Sequence, residues 1–178
     1  PVINGLTDAA HPCQALADLY TLEEMRGPIA GKRLAYVGDA NNVARSLAVC
    51  CAKLDVEFAI ASPKQYSFDR PFLDVLAREA PGVKLLQTED PREAVRGADC
   101  VITDTWVSMG DTDHDERLAA FEPFQVDDAL MDLAASKAIF LHCLPAHRGE
   151  EVTDAVMDGP RSRVWAEAEN RVHAQKSI

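Results

Sequence analysis

His142 and Cys143 follow an apolar run, Ala138-Ile139-Phe140-Leu141, and precede Leu144-Pro145-Ala146-His147-Arg148. A thiol, two imidazoles and a guanidinium therefore fall within seven residues. A thiolate is a nucleophile and a proton acceptor, an imidazole moves protons near neutral pH, and a guanidinium binds carboxylate or phosphate. Packing alone also accounts for a cysteine on an apolar run. Other polar clusters weigh against that plainer reading. Asn41 and Asn42 offer side-chain amides, Asp104 with Ser108 offers an acid and a hydroxyl, and His11 and Gln14 flank a helix start. An acid suits an ammonium and amides suit a carboxylate, so together they suit an amino acid zwitterion. Two classes of function share that pocket: an enzyme acting on an amino acid, and a module that binds one without chemistry.

The elements that must position these groups alternate along the chain. Pro12 sits in the first turn of a helix that Gly27-Pro28 closes. Strands are expected over 33–37, 56–61, 83–87 and 99–103, with a fifth over 138–143. Helices are expected over 43–54, 69–80, 91–96 and 126–137, and a last one from 166. The charged tract Asp111-Thr112-Asp113-His114-Asp115-Glu116-Arg117 is expected to be a mobile surface loop, and its spacing does not fit a calcium loop. Strands alternating with helices predict an α/β fold, a Rossmann-like three-layer sandwich around a five-stranded parallel sheet. In such a sheet the strand ends share one edge, so Asn41/Asn42, Asp104 and His142/Cys143 should meet there.

Several classes lose support. Gly38 is followed by Ala40 and Asn42 where the dinucleotide fingerprint has further glycines. A GxSxG elbow, a P-loop and a zinc signature are absent, which removes support for hydrolase, NTPase and metal-site readings. A net charge of -11 and a pI near 4.8 disfavour nucleic acid and anionic membrane. Five irregularly spaced cysteines and the absence of a spanning or signal segment predict reduced thiols and a cytoplasmic location. The 178 residues, 47% apolar, fit one domain. Neither end carries a start or stop signal, so we expect a fragment.

Five motifs, in order, are similar to the ornithine carbamoyltransferase family. They are His11-Pro12-Cys13-Gln14-Ala15-Leu16-Ala17-Asp18, Gly38-Asp39-Ala40-Asn41-Asn42, Asp104-Thr105-Trp106-Val107-Ser108-Met109-Gly110, His142-Cys143-Leu144-Pro145 and Glu167-Ala168-Glu169-Asn170-Arg171. The second-last motif and the Asp104 segment resemble the ornithine-using enzyme; the aspartate-using relative is expected to differ at both. The family also carries a preceding domain with a Ser-Thr-Arg-Thr-Arg-type phosphate motif, and this sequence has none. The resemblance thus implies a single ornithine-binding domain over 1–178, with the helix within 1–30 bridging to a missing N-terminal domain.

It further implies transfer of the carbamoyl group from carbamoyl phosphate to the side-chain amine of L-ornithine, with no metal and no cofactor. His11 would donate to the carbamoyl oxygen, Gln14 would meet the carbamoyl amide, and Arg171 would bind carbamoyl phosphate, alongside Pro12, Cys13 and the backbone of Leu144. Such oxyanion donors are each worth about 3 kcal/mol. Asn42 would hold the ornithine carboxylate, helped by Ser108 and Met109, although Asn41 is the neighbouring alternative. Asp104 would hold the α-ammonium, and Cys143 would lie beside the attacking amine as proton acceptor or electrostatic aid. Within the family, relatives acting on N-acetylornithine or putrescine stay open as alternatives, though Asp104, poised for a free α-ammonium, argues against both. The family implies a homotrimeric parent, while this domain alone is expected to be monomeric and inactive.

Overall fold

The computed structural model describes residues 1–107 and 112–178. The first helix, α1 (Pro12–Arg26), starts at Pro12 and stops at Gly27, which adopts φ 69° while its N–H donates to the Glu23 carbonyl. Then follow β1 (Arg33–Val37), α2 (Asn42–Lys53), β2 (Glu57–Ala61), α3 (Arg70–Glu79), β3 (Leu85–Thr88), α4 (Pro91–Val95) and β4 (Cys100–Thr103). The remainder is α5 (His114–Phe121), α6 (Asp128–Met131), β5 (Ile139–His142), α7 (Asp154–Met157) and α8 (Val164–Ser177). Asn41, Asp69, Asp90, Asp127 and Thr153 accept backbone N–H groups at the helix starts that follow them. Each such cap satisfies donors that a helix leaves unpaired and contributes about 1 kcal/mol.

The five strands form one parallel sheet in the order β3-β2-β1-β4-β5. Alternation along each strand sorts side chains into two cores. Leu34, Tyr36, Phe58, Ile60, Cys100, Ile102, Ile139 and Leu141 pack against α1, α2 and α3. Ala35, Val37, Ala59, Ala61, Val101 and Phe140 pack on the other side against α4 to α7 and the start of α8. Helices on both faces explain why β1, β2, β4 and β5 are apolar on both sides through their interiors. Large side chains such as Phe58 and Phe140 are fully buried, each contributing about 1.5–3 kcal/mol. Among the described residues no helix is long and apolar enough to cross a membrane.

Two expectations are corrected. The tract 111–117 is not a loop throughout: its second half begins α5, and Asp111 lies outside the described residues. Arg117 is the reason. Its guanidinium donates to Asp39 at 2.8 Å, to the Trp106 carbonyl at 3.0 Å and to Asp113, and lies over the Tyr66 ring. The helix expected over 126–137 shrinks to the single turn α6. Val126 instead pairs with Val152 as a parallel bridge, and the Ala135 N–H reaches across to the Ala98 carbonyl, so the backbone bonds of that stretch go outward.

The strand order reverses between β1 and β4: the chain runs from β1 out to β3, then returns to the far side of β1. At such a point the turns after neighbouring strands part and leave a crevice at the carboxyl edge. The Asn41 side chain, after β1, donates to Asp104, after β4, at 2.8 Å. That bond spans the crevice.

Candidate active site

A cavity of about 620 Å³ opens at this edge. Its lining includes His11, Asn42, Asp104, Cys143, Leu144 and His147. Polar groups drawn from α1, from the turns after β1 and β4, and from the end of β5 thus share one space.

Asp104 is the centre of the polar wall. Its Oδ1 accepts the Thr105 N–H at 2.8 Å and the Cys143 thiol at 3.1 Å, while Oδ2 accepts from Asn41. Asn41 is otherwise occupied, since its Oδ1 caps α2 through Val43 and Ala44 and accepts from the Tyr36 hydroxyl. Among the described residues the Asn42 side chain makes one exposed bond, to the Thr7 carbonyl, and both asparagines line the cavity. Of the two amides, Asn41 therefore orients Asp104 and Asn42 is the one the protein leaves nearly unused.

Burial, and then the charge of Asp104, push the Cys143 thiol well above its ordinary range. The sulfur is a donor to the carboxylate. Next along the chain, Leu144 takes φ 58°, a left-handed conformation that costs a non-glycine residue about 1–2 kcal/mol. Its N–H donates to His142 Nδ1 at 2.9 Å. His142 Nε2 therefore carries the proton and donates to Glu151 Oε1 at 3.0 Å. With both nitrogens engaged, His142 has none to offer a metal, although it lies within 4.8 Å of Asp104 and Cys143. His147, Glu150 and Glu151 form a second such grouping at the rim, where His147 Nδ1 lies 3.8 Å from Glu151 Oε2.

His11 lies at the start of α1 with its N–H on the Ser46 hydroxyl at 2.8 Å. Burial, and then the nearby Arg171 guanidinium, lower its pKa, so the ring is neutral at pH 7. Among the described residues its Nδ1 is buried without a hydrogen-bond partner, as is the Arg171 Nε. Gln14 and Arg171 meet behind His11, the guanidinium donating to Gln14 Oε1. Pro12 occupies the first turn, and Cys13 is turned inward with its thiol toward the Asn4 carbonyl. Ser108 and Met109 lie outside the described residues.

With the fold and the site in place, comparison with known proteins is informative. The family model for the "Aspartate/ornithine carbamoyltransferase, Asp/Orn binding domain" matches residues 30–178. The chain belongs to this family. The ornithine carbamoyltransferase of Caulobacter vibrioides is 64% identical over 178 residues, which are 100% of this chain and 57% of that relative. The Brucella abortus protein of the same name is 55% identical, with 100% of this chain and 56% of the relative covered. Among solved structures, the Pyrococcus furiosus ornithine carbamoyltransferase superimposes with a TM-score of 0.93 at 48% identity, covering 99% of this chain and 57% of the other. The Gloeobacter violaceus structure gives 0.90 at 51% identity, covering 99% and 60%. The chain thus spans 56% to 60% of the length of these proteins. The family resemblance read from the five motifs is confirmed.

Three carboxylates that organise this Asp/Orn-binding domain were given no role from sequence. Glu151, fully buried, accepts from His142 and from the His147 N–H at 2.6 Å. Asp18 and Glu167, also buried, surround Gln14. A signal for the last two was available. Gln14 and Asp18 are spaced i,i+4 on α1, and Glu167 and Arg171 are spaced i,i+4 on α8, so each pair shares a helix face.

Proposed function

We propose that this chain is the ornithine-binding part of an ornithine carbamoyltransferase, with α1 bridging to a domain that completes the carbamoyl phosphate site. One observation carries the reading: an acid, a nearly unused amide, a thiol and a neutral imidazole converge on a single cavity at the sheet's switch point. Asp104 takes the α-ammonium and Asn42 the carboxylate, with Ser108 and Met109 completing that end. The side chain of ornithine then runs toward Cys143. His11 donates to the carbamoyl oxygen as negative charge develops there, which a neutral ring does from either nitrogen. Arg171, Gln14 and the backbone of Leu144 hold carbamoyl phosphate, and the free amine attacks the carbonyl carbon as phosphate leaves.

Calorimetric titration of the 178-residue chain tests the first half of this reading. L-ornithine is expected to bind, and N-acetylornithine or putrescine to bind at least tenfold more weakly, because each lacks the α-ammonium or the zwitterion that Asp104 and Asn42 match. Equal affinity for all three, or no heat from ornithine, overturns the assignment. The chain by itself should form no citrulline; measurable turnover would remove the need for a second domain.

Cys143 supports a separate expectation. With the thiol pKa raised, its titration limb lies on the alkaline side of the pH profile of kcat/KM for ornithine. In the full-length protein, Cys143→Ser should lower turnover by roughly a hundredfold and delete that limb. Unchanged kinetics would leave Cys143 a packing residue.

A further inference from the structure

Behind the cavity wall, α1 and α8 enclose a pair of carboxyl groups that the reaction outlined above does not use. Asp18 is 0% exposed and Glu167 1% exposed. The Gln14 side-chain amide donates both its hydrogens to them, to Asp18 Oδ1 at 2.7 Å and to Glu167 Oε1 at 2.9 Å. Glu167 Oε2 accepts the backbone N–H of His142 at 2.8 Å, which ties the pair to the end of β5. Asp18 Oδ2 is buried and receives no N–H among the described residues. Both carboxyls accept from the one Gln14 amide nitrogen and so lie side by side, where burial raises the pKa of each and favours a shared proton over two bare charges. A proton on one of the two acids would give the pair a donor for the buried Asp18 Oδ2.

The consequence falls on Gln14. An amide has two ends and can flip; with both Nε2 hydrogens spent on carboxyl groups, its Oε1 can only face the opposite way. There it accepts from the Arg171 guanidinium, whose buried Nε has no protein partner. We propose that Asp18 and Glu167 are positioning residues for carbamoyl phosphate: a proton-sharing pair that sets the amide orientation of Gln14 and, through it, Arg171. This rests on the proposed function. One shared proton leaves the pair a single negative charge, which offsets the guanidinium without placing two bare carboxylates in the interior. Burial is the main cause that raises both acids, Asp18 to about 7 and Glu167 well above the ordinary carboxylate range, with the charge of Asp18 adding to the rise at Glu167.

Two substitutions at one position separate positioning from mere structure. In Asp18→Asn the carboxamide oxygen still accepts from Gln14 and its Nδ2 replaces the shared proton, so the network and its single charge survive. Asp18→Ala frees Gln14 to flip. Measured in the full-length protein, Asp18→Asn should stay within about threefold of the parent, while Asp18→Ala raises KM for carbamoyl phosphate or lowers kcat by about a hundredfold. Ornithine affinity of the corresponding 178-residue chains, read by calorimetry, should not move. Infrared spectra of the folded chain at pH 8 should contain a protonated-carboxyl stretch, since ordinary carboxyls are ionised there. Loss of ornithine binding and turnover together would make the pair a structural element only. An Asp18→Ala protein with parental kinetics, or a chain with no protonated carboxyl at pH 8, overturns the proposal. A parent protein that makes no citrulline would instead fail the functional reading itself.

Discussion

Asp104→Ala is expected to weaken L-ornithine binding by on the order of a hundredfold, about 3 kcal/mol, in titrations of the 178-residue chain. The carboxylate is the acceptor for a backbone N–H, an amide and a thiol at once, so its orientation is set before any ligand arrives. A pre-oriented charge loses little entropy on binding, and partial burial reduces the screening that weakens surface pairs. Asp104→Asn sharpens the test. Its shape is retained, but the charge is gone and an amide hydrogen faces the Asn41 donor or the Cys143 thiol. Both variants should therefore lose ornithine, with melting temperatures much closer to the parent for Asn than the affinities are. An ornithine Kd within threefold of the parent in either variant would take Asp104 out of the site.

Glu151→Ala should lower the melting temperature by roughly 10 °C. Removal of the side chain strands the buried Nε2–H of His142 and the backbone N–H of His147, and leaves a void where the carboxylate was. Each buried donor left unsatisfied costs about 1–3 kcal/mol, and a domain of this size shifts by about 2–4 °C per kcal/mol. Glu151→Gln keeps an acceptor for His142 and should lose only a fraction of that. Scanning calorimetry of the two variants decides the matter; a Glu151→Ala protein melting within 2 °C of the parent, on the order of 1 kcal/mol, would show that the turn after β5 does not depend on this carboxylate. The same substitution should disturb the site, because His142 in turn holds the Leu144 N–H in its left-handed conformation.

Much of the site was legible in sequence because parallel strands impose a common direction. Apolar runs ending in Gly38-Asp39-Ala40-Asn41-Asn42, in Asp104 and in His142-Cys143 had to deliver those groups to one edge, wherever the strands lay in the sheet. Pattern and termination signals were enough to place all five strands. They were insufficient at 126–137, where a helical pattern gave way to a bridge between Val126 and Val152, since that competition is settled by a partner distant in sequence. They were insufficient again at Arg117, which reads as one more charge in an acidic tract until Asp39 and the Tyr66 ring are brought beside it.

Sequence by itself determined the fold class, the edge at which chemistry is concentrated and the residue types available there. Tertiary structure alone decided how those residues are held: which of two adjacent asparagines caps a helix and holds Asp104, and which acids are buried. The physical reason is burial. An acid such as Asp18, Glu151 or Glu167 is an ordinary surface residue unless groups from other elements supply its hydrogen bonds, and Gln14 and Glu167 are 153 residues apart. Periodicity reports on which face of its own element a residue occupies; whether that face meets a donor, a proton or water is set by the other elements packed against it.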